Sequence, residues 1–180
     1  IVSMKKIIGL FFAVLFSAGL YAQEGVIKFL GIPVDGTKQE MIQKLKSKGF
    51  TYDQREDDLQ GEFNGEEVLI QVQTQNNKVW RLVICDKNLR SKGQIRLRFN
   101  ELVGQFENNG KYTPFMESQT IDENEDIDYE ITVKDKQYRA VFIPNTTRGA
   151  VYFTIHSNKT KYFIAMYYEN INNAADGSDL

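Results

Sequence analysis

The stretch Thr37-Lys38-Gln39-Glu40-Met41-Ile42-Gln43-Lys44-Leu45-Lys46-Ser47-Lys48-Gly49, running into Phe50–Cys85, decides the fold class. Thr37 followed by Glu40 is a capping box, Met41, Ile42 and Leu45 form an apolar stripe at helical spacing, and Gly49 supplies a stop. Four short segments follow: Phe50–Arg55, Leu59–Phe63, Val68–Thr74 and Val79–Cys85. Asn64-Gly65 and Asn76-Asn77 join them, residues that tolerate the positive φ of tight hairpins. One helix followed by an antiparallel meander is therefore expected.

The pattern recurs downstream. Ser91 with Gln94 repeats the cap, and Ile95, Phe99, Leu102 and Phe106 recur at helical spacing until Asn109-Gly110. The segments Lys111–Met116, Ile127–Val133, Tyr138–Ile143, Val151–His156 and Tyr162–Tyr168 read as strands, while Ile121–Asp128 and Pro144–Gly149 read as loops. Lys48-Gly49-Phe50-Thr51-Tyr52 echoes Asn109-Gly110-Lys111-Tyr112-Thr113. The expected class is α+β: two pseudo-repeated units of a helix and an antiparallel β-meander, with the helices on one face of a curved sheet. The halves would span about 23–88 and 89–180.

Ahead of them, Met4-Lys5-Lys6, the apolar run Ile7–Phe16 and Ser17–Ala22 follow the grammar of a secretory signal peptide. Residues 1–22 are then a leader with three upstream residues, and 23–180 the working domain. The expected location is periplasmic or extracellular. Gln23 stands where a lipoprotein needs cysteine, so lipid anchoring is not expected. Past the leader, 20 basic residues face 24 acidic ones, a balance that disfavours nucleic acid. No later stretch is long and apolar enough to cross a bilayer, so a soluble domain is expected. Cys85 is the single cysteine, so no internal disulfide forms, and its place at a strand end reads as a small buried hydrophobe.

Two sets of residues carry a resemblance. Phe29-Leu30-Gly31-Ile32-Pro33-Val34-Asp35-Gly36-Thr37 leading to Met41–Phe50, Val79-Trp80-Arg81, and the closing Tyr167–Asn173 with Ala175–Leu180 resemble small secreted Bacteroidales proteins. The tandem layout is also similar to the beta-lactamase inhibitor protein fold. That resemblance implies a binding architecture with a concave sheet, and transfers no partner.

Catalytic chemistry finds little support. His156 is the only histidine, which removes multi-histidine metal sites and leaves a single base for Cys85 or a serine. Asp57-Asp58 and Glu66-Glu67 point to opposite strand faces and make a poor acid–base pair. The Gly31–Gly36 turn lacks the spacing of a phosphate loop and reads as a lead-in to the helix. The acidic run Asp122–Asp128 raises calcium, but Ile127 stands where a calcium loop needs glycine and Val133 where it needs glutamate. No cofactor or metal site is expected, and calcium at 122–128 stays open.

Aromatic density is the feature with functional slope. Strand alternation puts Arg139/Val141/Ile143 and Tyr152/Thr154/His156 on faces opposite Tyr138/Ala140/Phe142 and Val151/Phe153/Ile155. The mixed polar and aromatic face is the candidate site: Arg81, Arg139, Tyr152, His156 and Tyr167. Tyr and Arg are the residues enriched at binding hot spots. The reading is a non-catalytic module that recognises a protein, peptide or glycan. An envelope-polymer hydrolase and a structural subunit of a surface assembly are the alternatives.

Overall fold

The computed structural model describes residues 25–175. Residues 1–24, which include the expected leader, and 176–180 lie outside them. The domain is α+β, built on an open sheet of eight antiparallel strands in the order β3-β4-β5-β6-β10-β9-β8-β7. In chain order these are β3 (Thr51–Asp53), β4 (Asp58–Phe63), β5 (Glu66–Gln75) and β6 (Lys78–Asp86), then β7 (Tyr112–Pro114), β8 (Arg139–Pro144), β9 (Ala150–Asn158) and β10 (Lys161–Glu169). Both edge strands are three residues long, which limits the ladder left open to other chains.

Helix α1 (Lys38–Ser47) begins at Thr37, whose Oγ1 accepts from the Glu40 N–H at 3.3 Å while Glu40 Oε2 accepts from the Thr37 N–H at 2.8 Å. Helix α2 (Lys92–Glu107) buries Ile95, Phe99, Leu102, Val103 and Phe106. Both helices lie on the same sheet face, because their stripes join one core with Ile70, Ile84, Met166 and Phe153. Ile70 pairs with Ile84, Ile84 with Met166, and Met166 with Phe153, so those side chains form a continuous row across the central seam. Phe99, Phe106, Phe142 and Phe153 interlock at 4.7–6.0 Å between ring centres. Arg90 joins Asp86 (2.9 Å) and Glu66 (2.6 Å), tying the approach to α2 onto the β5–β6 end.

Three elements depart from the expectation. Ile127–Thr132 is a helix, α3, not a strand. Its apolar residues alternate (Ile127, Tyr129, Ile131, Val133), which mimics a half-buried strand. Asp126 instead caps the segment from Oδ1 to the Tyr129 N–H, and the inward pair is Ile127 and Ile131, four apart. Second, β1 (Lys28–Phe29) and β2 (Ile32–Pro33) form a hairpin where a plain lead-in was expected. Its turn places Leu30 at φ 50° and Gly31 at φ 80°, a type I′ pattern with leucine at a position that favours Asn or Gly. Third, β6 carries a bulge. Gln73 pairs with Arg81 and Thr74 with Val79, which leaves Trp80 as the extra residue.

Candidate functional site

Among the described residues, the face opposite α1 and α2 has no element packed over its centre, and its chemistry follows from register. Tyr152 on β9 stands directly across from Tyr167 on β10. Their rings stack at 4.6 Å and 11°. Arg139 pairs with Thr154 and Arg81 with Glu169, so each arginine sits one diagonal step from a tyrosine. The Arg139 guanidinium lies 5.2 Å from the Tyr152 ring centre, and that of Arg81 5.6 Å from Tyr167. The result is a row of alternating chemistry: cation, ring, ring, cation.

Glu169 fixes the row. Its Oε1 accepts from the Tyr152 hydroxyl at 2.8 Å and meets Arg81 Nη2 at 2.8 Å. The β6 bulge puts Trp80 beside Arg81, whose guanidinium lies 3.8 Å from the Trp80 ring centre. Burial, with the bond to Glu169, pushes the Tyr152 hydroxyl up to about 12. Tyr152 is thus a permanent donor at ordinary pH. Arg139 has no ion-pair partner among the described residues and is exposed.

His156 occupies the next step along β9. Its Nε2 lies 2.7 Å from Thr154 Oγ1 and 3.2 Å from the Tyr167 hydroxyl, and its ring stacks on Phe163 at 5.4 Å. Desolvation holds the imidazole below its usual pKa and favours the neutral ring. All five residues singled out from the sequence, Arg81, Arg139, Tyr152, His156 and Tyr167, line one hollow of about 380 Å³. Ile131 of α3 and the 135–137 turn wall its far end.

Sequence reasoning missed five contributors. Glu169 lies two residues beyond Tyr167 and so shares its face, and extending the alternation past Tyr168 would have found it. Thr154 had been placed on this face but given no role. Trp80 precedes Arg81 and by alternation would face the other way; the bulge that brings its ring onto the guanidinium cannot be read from alternation. Ile131 and Lys136 reach the hollow only because the preceding segment is helical.

Cys85 shares this face, pairing with Leu69 and Ala165, but does not line the hollow. Burial and the neighbouring Asp86 charge push its thiol up to about 11, so it stays protonated. His156 Nε2 is engaged by two hydroxyls, and Glu169, the carboxylate next in the row, is held by Arg81 and Tyr152. The acidic segment 122–128 spends its carboxylates locally. Asp122 accepts from the Asn124 N–H, Asp126 caps α3, Glu125 binds Lys136 and Tyr138, and Asp128 binds Tyr162. Among the described residues no three His, Cys, Asp or Glu side chains group to hold a metal ion. No helix among them is long and apolar enough to cross a membrane. No family model, curated protein or solved structure matches this chain.

Proposed function

We propose that the domain is a non-catalytic binding module that recognises a peptide or protein segment through the β8–β9–β10 end of its open sheet face. One observation carries this: the Arg139–Tyr152–Tyr167–Arg81 row, with Tyr152 and Arg81 held by Glu169, on the face opposite α1 and α2. Pre-fixed Tyr and Arg side chains lose little conformational entropy on binding, the property that makes them hot spots. The two rings stack on each other with a guanidinium on each outer side, so neither ring face is open. Sugar recognition by stacking wants a free ring face, whereas an extended peptide presents carbonyls and carboxylates to the ring edges and to Arg139, which has no ion-pair partner among the described residues. A glycan ligand is therefore the second reading.

The order of helix and four strands, occurring twice with the halves meeting at β6 and β10, supports descent from a duplicated unit. It is also in keeping with the inhibitor-like layout and with small secreted Bacteroidales proteins. The leader-like first 22 residues support an exported working chain, periplasmic or extracellular.

Peptide and glycan arrays probed with residues 23–180 test the reading. Binding should fall by about 30-fold in Tyr152→Ala and in Arg139→Ala. Gln71→Ala, on the same face in β5, should bind like the parent. Equal binding by all three variants would remove this face from consideration, and retained binding on the glycan array alone would favour the second reading.

A further inference from the structure

The helix-covered side holds a second feature that the open face does not explain. The β1–β2 turn lies over two hollows, of about 350 and 420 Å³, that share Leu30, Asn109, Tyr112 and Tyr168 as walls. They adjoin at these shared walls, and each is of the size of the smaller ligand cavities, roughly 300–1,000 Å³. The first runs between α2 and the β4–β5 turn and is walled by Phe63, Leu102, Phe106 and Met166. The second opens beside Lys28 and Lys111. Both lysines are exposed, and neither has an ion-pair partner among the described residues.

Tyr168 is the telling side chain. It is 6% exposed, its ring packs edge-on against Phe29 at 5.1 Å, and it borders both hollows. Its hydroxyl makes no hydrogen bond among the described residues, whereas Tyr52, Tyr138, Tyr152 and Tyr162 all donate to carboxylates. Tyr112 stands beside it, also without a hydroxyl bond. Desolvation raises both hydroxyls above the ordinary tyrosine value, so both remain donors. Leu30 closes the roof in a left-handed conformation that leucine disfavours, with its side chain 40% exposed. A chain that needed only a turn would carry asparagine there.

We propose that this channel binds an anionic amphiphile, a carboxylate on an unbranched apolar chain. The chain lies under Leu30 against Phe63, Phe106 and Met166. The carboxylate sits toward the Lys28/Lys111 mouth and accepts from the Tyr168 and Tyr112 hydroxyls. The apolar wall of the groove alone would take any hydrocarbon; the two cations at one end and the tyrosine hydroxyls between select the charge and set the orientation.

Calorimetric titration of residues 23–180 with dodecanoate, dodecanol and dodecylammonium, all as monomers, tests this. Dodecanoate should bind saturably at one site, and dodecylammonium at least about tenfold more weakly. Tyr168→Phe, which keeps the ring, should weaken dodecanoate by about tenfold. The double variant Lys28→Gln/Lys111→Gln, confined to the surface, should weaken dodecanoate by a similar factor and leave dodecanol unchanged. Amide shift changes on adding dodecanoate should map to α2 and the β1–β2 hairpin. No saturable binding of dodecanoate, an equal affinity for dodecylammonium, or insensitivity to both the tyrosine and the lysine variants would overturn the proposal. Shifts confined to the β8–β10 face would overturn it as well.

Discussion

The two ends of the sheet are both built of antiparallel strands and differ in what they show to solvent. On the open face, β4 and β5 present Gln60, Leu69, Gln71 and Gln73, and their neighbours Glu62 and Glu67. The equivalent surface of β8, β9 and β10 presents Arg139, Tyr152, His156, Phe163, Tyr167 and Glu169. Core-facing residues are alike at both ends: β-branched, leucine and aromatic side chains in one continuous cluster. Pairing rules and the helix-facing core therefore account for the scaffold at both ends, and the open face is where the two ends differ in chemistry. A scaffold constraint acts on every second residue of a strand, which leaves the other residues free to diverge.

The sharpest way to break the comparison is to cut the core that joins the ends. Phe153→Ala removes a fully buried ring that touches Phe99, Phe106 and Phe142, and should cost about 3–5 kcal/mol. Ile70→Ala, at the other end, should cost about 2–5 kcal/mol. Urea unfolding followed by both far-UV and near-UV signals should give one coincident transition for each variant, since the core is continuous. Two separated transitions in either would show halves that fold independently.

Glycines sharpen the same contrast at smaller amplitude. A Cβ at Gly61 would come within 2.5 Å of the Phe50 ring, and one at Gly149 within 2.4 Å of the Glu169 carbonyl oxygen. Gly149 also has φ +143°, which an alanine disfavours. Each change to alanine should destabilise by about 1–3 kcal/mol. Only Gly149→Ala displaces the backbone of Glu169, the residue that holds Arg81 and Tyr152, so only it should also impair open-face binding. Equal binding by Gly149→Ala and Gly61→Ala would disconnect Glu169 from the site. Thr37→Ala, at the cap of α1, should cost about 1 kcal/mol with binding unchanged, as read by thermal unfolding and array signal.

The sheet was legible wherever alternation was uninterrupted. The facing of Arg139, Tyr152, His156 and Tyr167 follows from period two alone, and the structure brings them together because β9 lies between β8 and β10. Legibility failed where a local device overrode the period. In Ile127–Val133 the alternating apolar residues fit a strand, but an aspartate cap and an Ile127/Ile131 pair make a helix. At Trp80 a single inserted residue moved a side chain beside Arg81. At Leu30 no turn signal was present, because leucine sits where asparagine is expected. The channel under that turn was hidden for the same reason, since it depends on a hairpin that the local sequence does not advertise.

The smallest predicted effect isolates one hydroxyl in each half. Tyr52 donates to Asp57 at an exposed position, and that bond raises its pKa. Tyr152 is raised further, to about 12, because burial acts first and the bond to Glu169 second. A phenol whose folded pKa exceeds its unfolded value of about 10 adds stability that is complete below pH 10. That contribution is lost as pH rises through about 12. Denaturant midpoints of the parent should therefore fall more between pH 9 and pH 12 than those of Tyr152→Phe. Tyr52→Phe should track the parent closely, because solvent screens an exposed pair. Tyr112, Tyr138 and Tyr168 titrate in all three proteins and cancel from the contrast. If Tyr52→Phe changes the alkaline slope as much as Tyr152→Phe, Glu169 does not distinguish the two ends of the sheet. The fixed Arg139–Tyr152–Tyr167–Arg81 row would then lose the anchor on which its preorganisation rests.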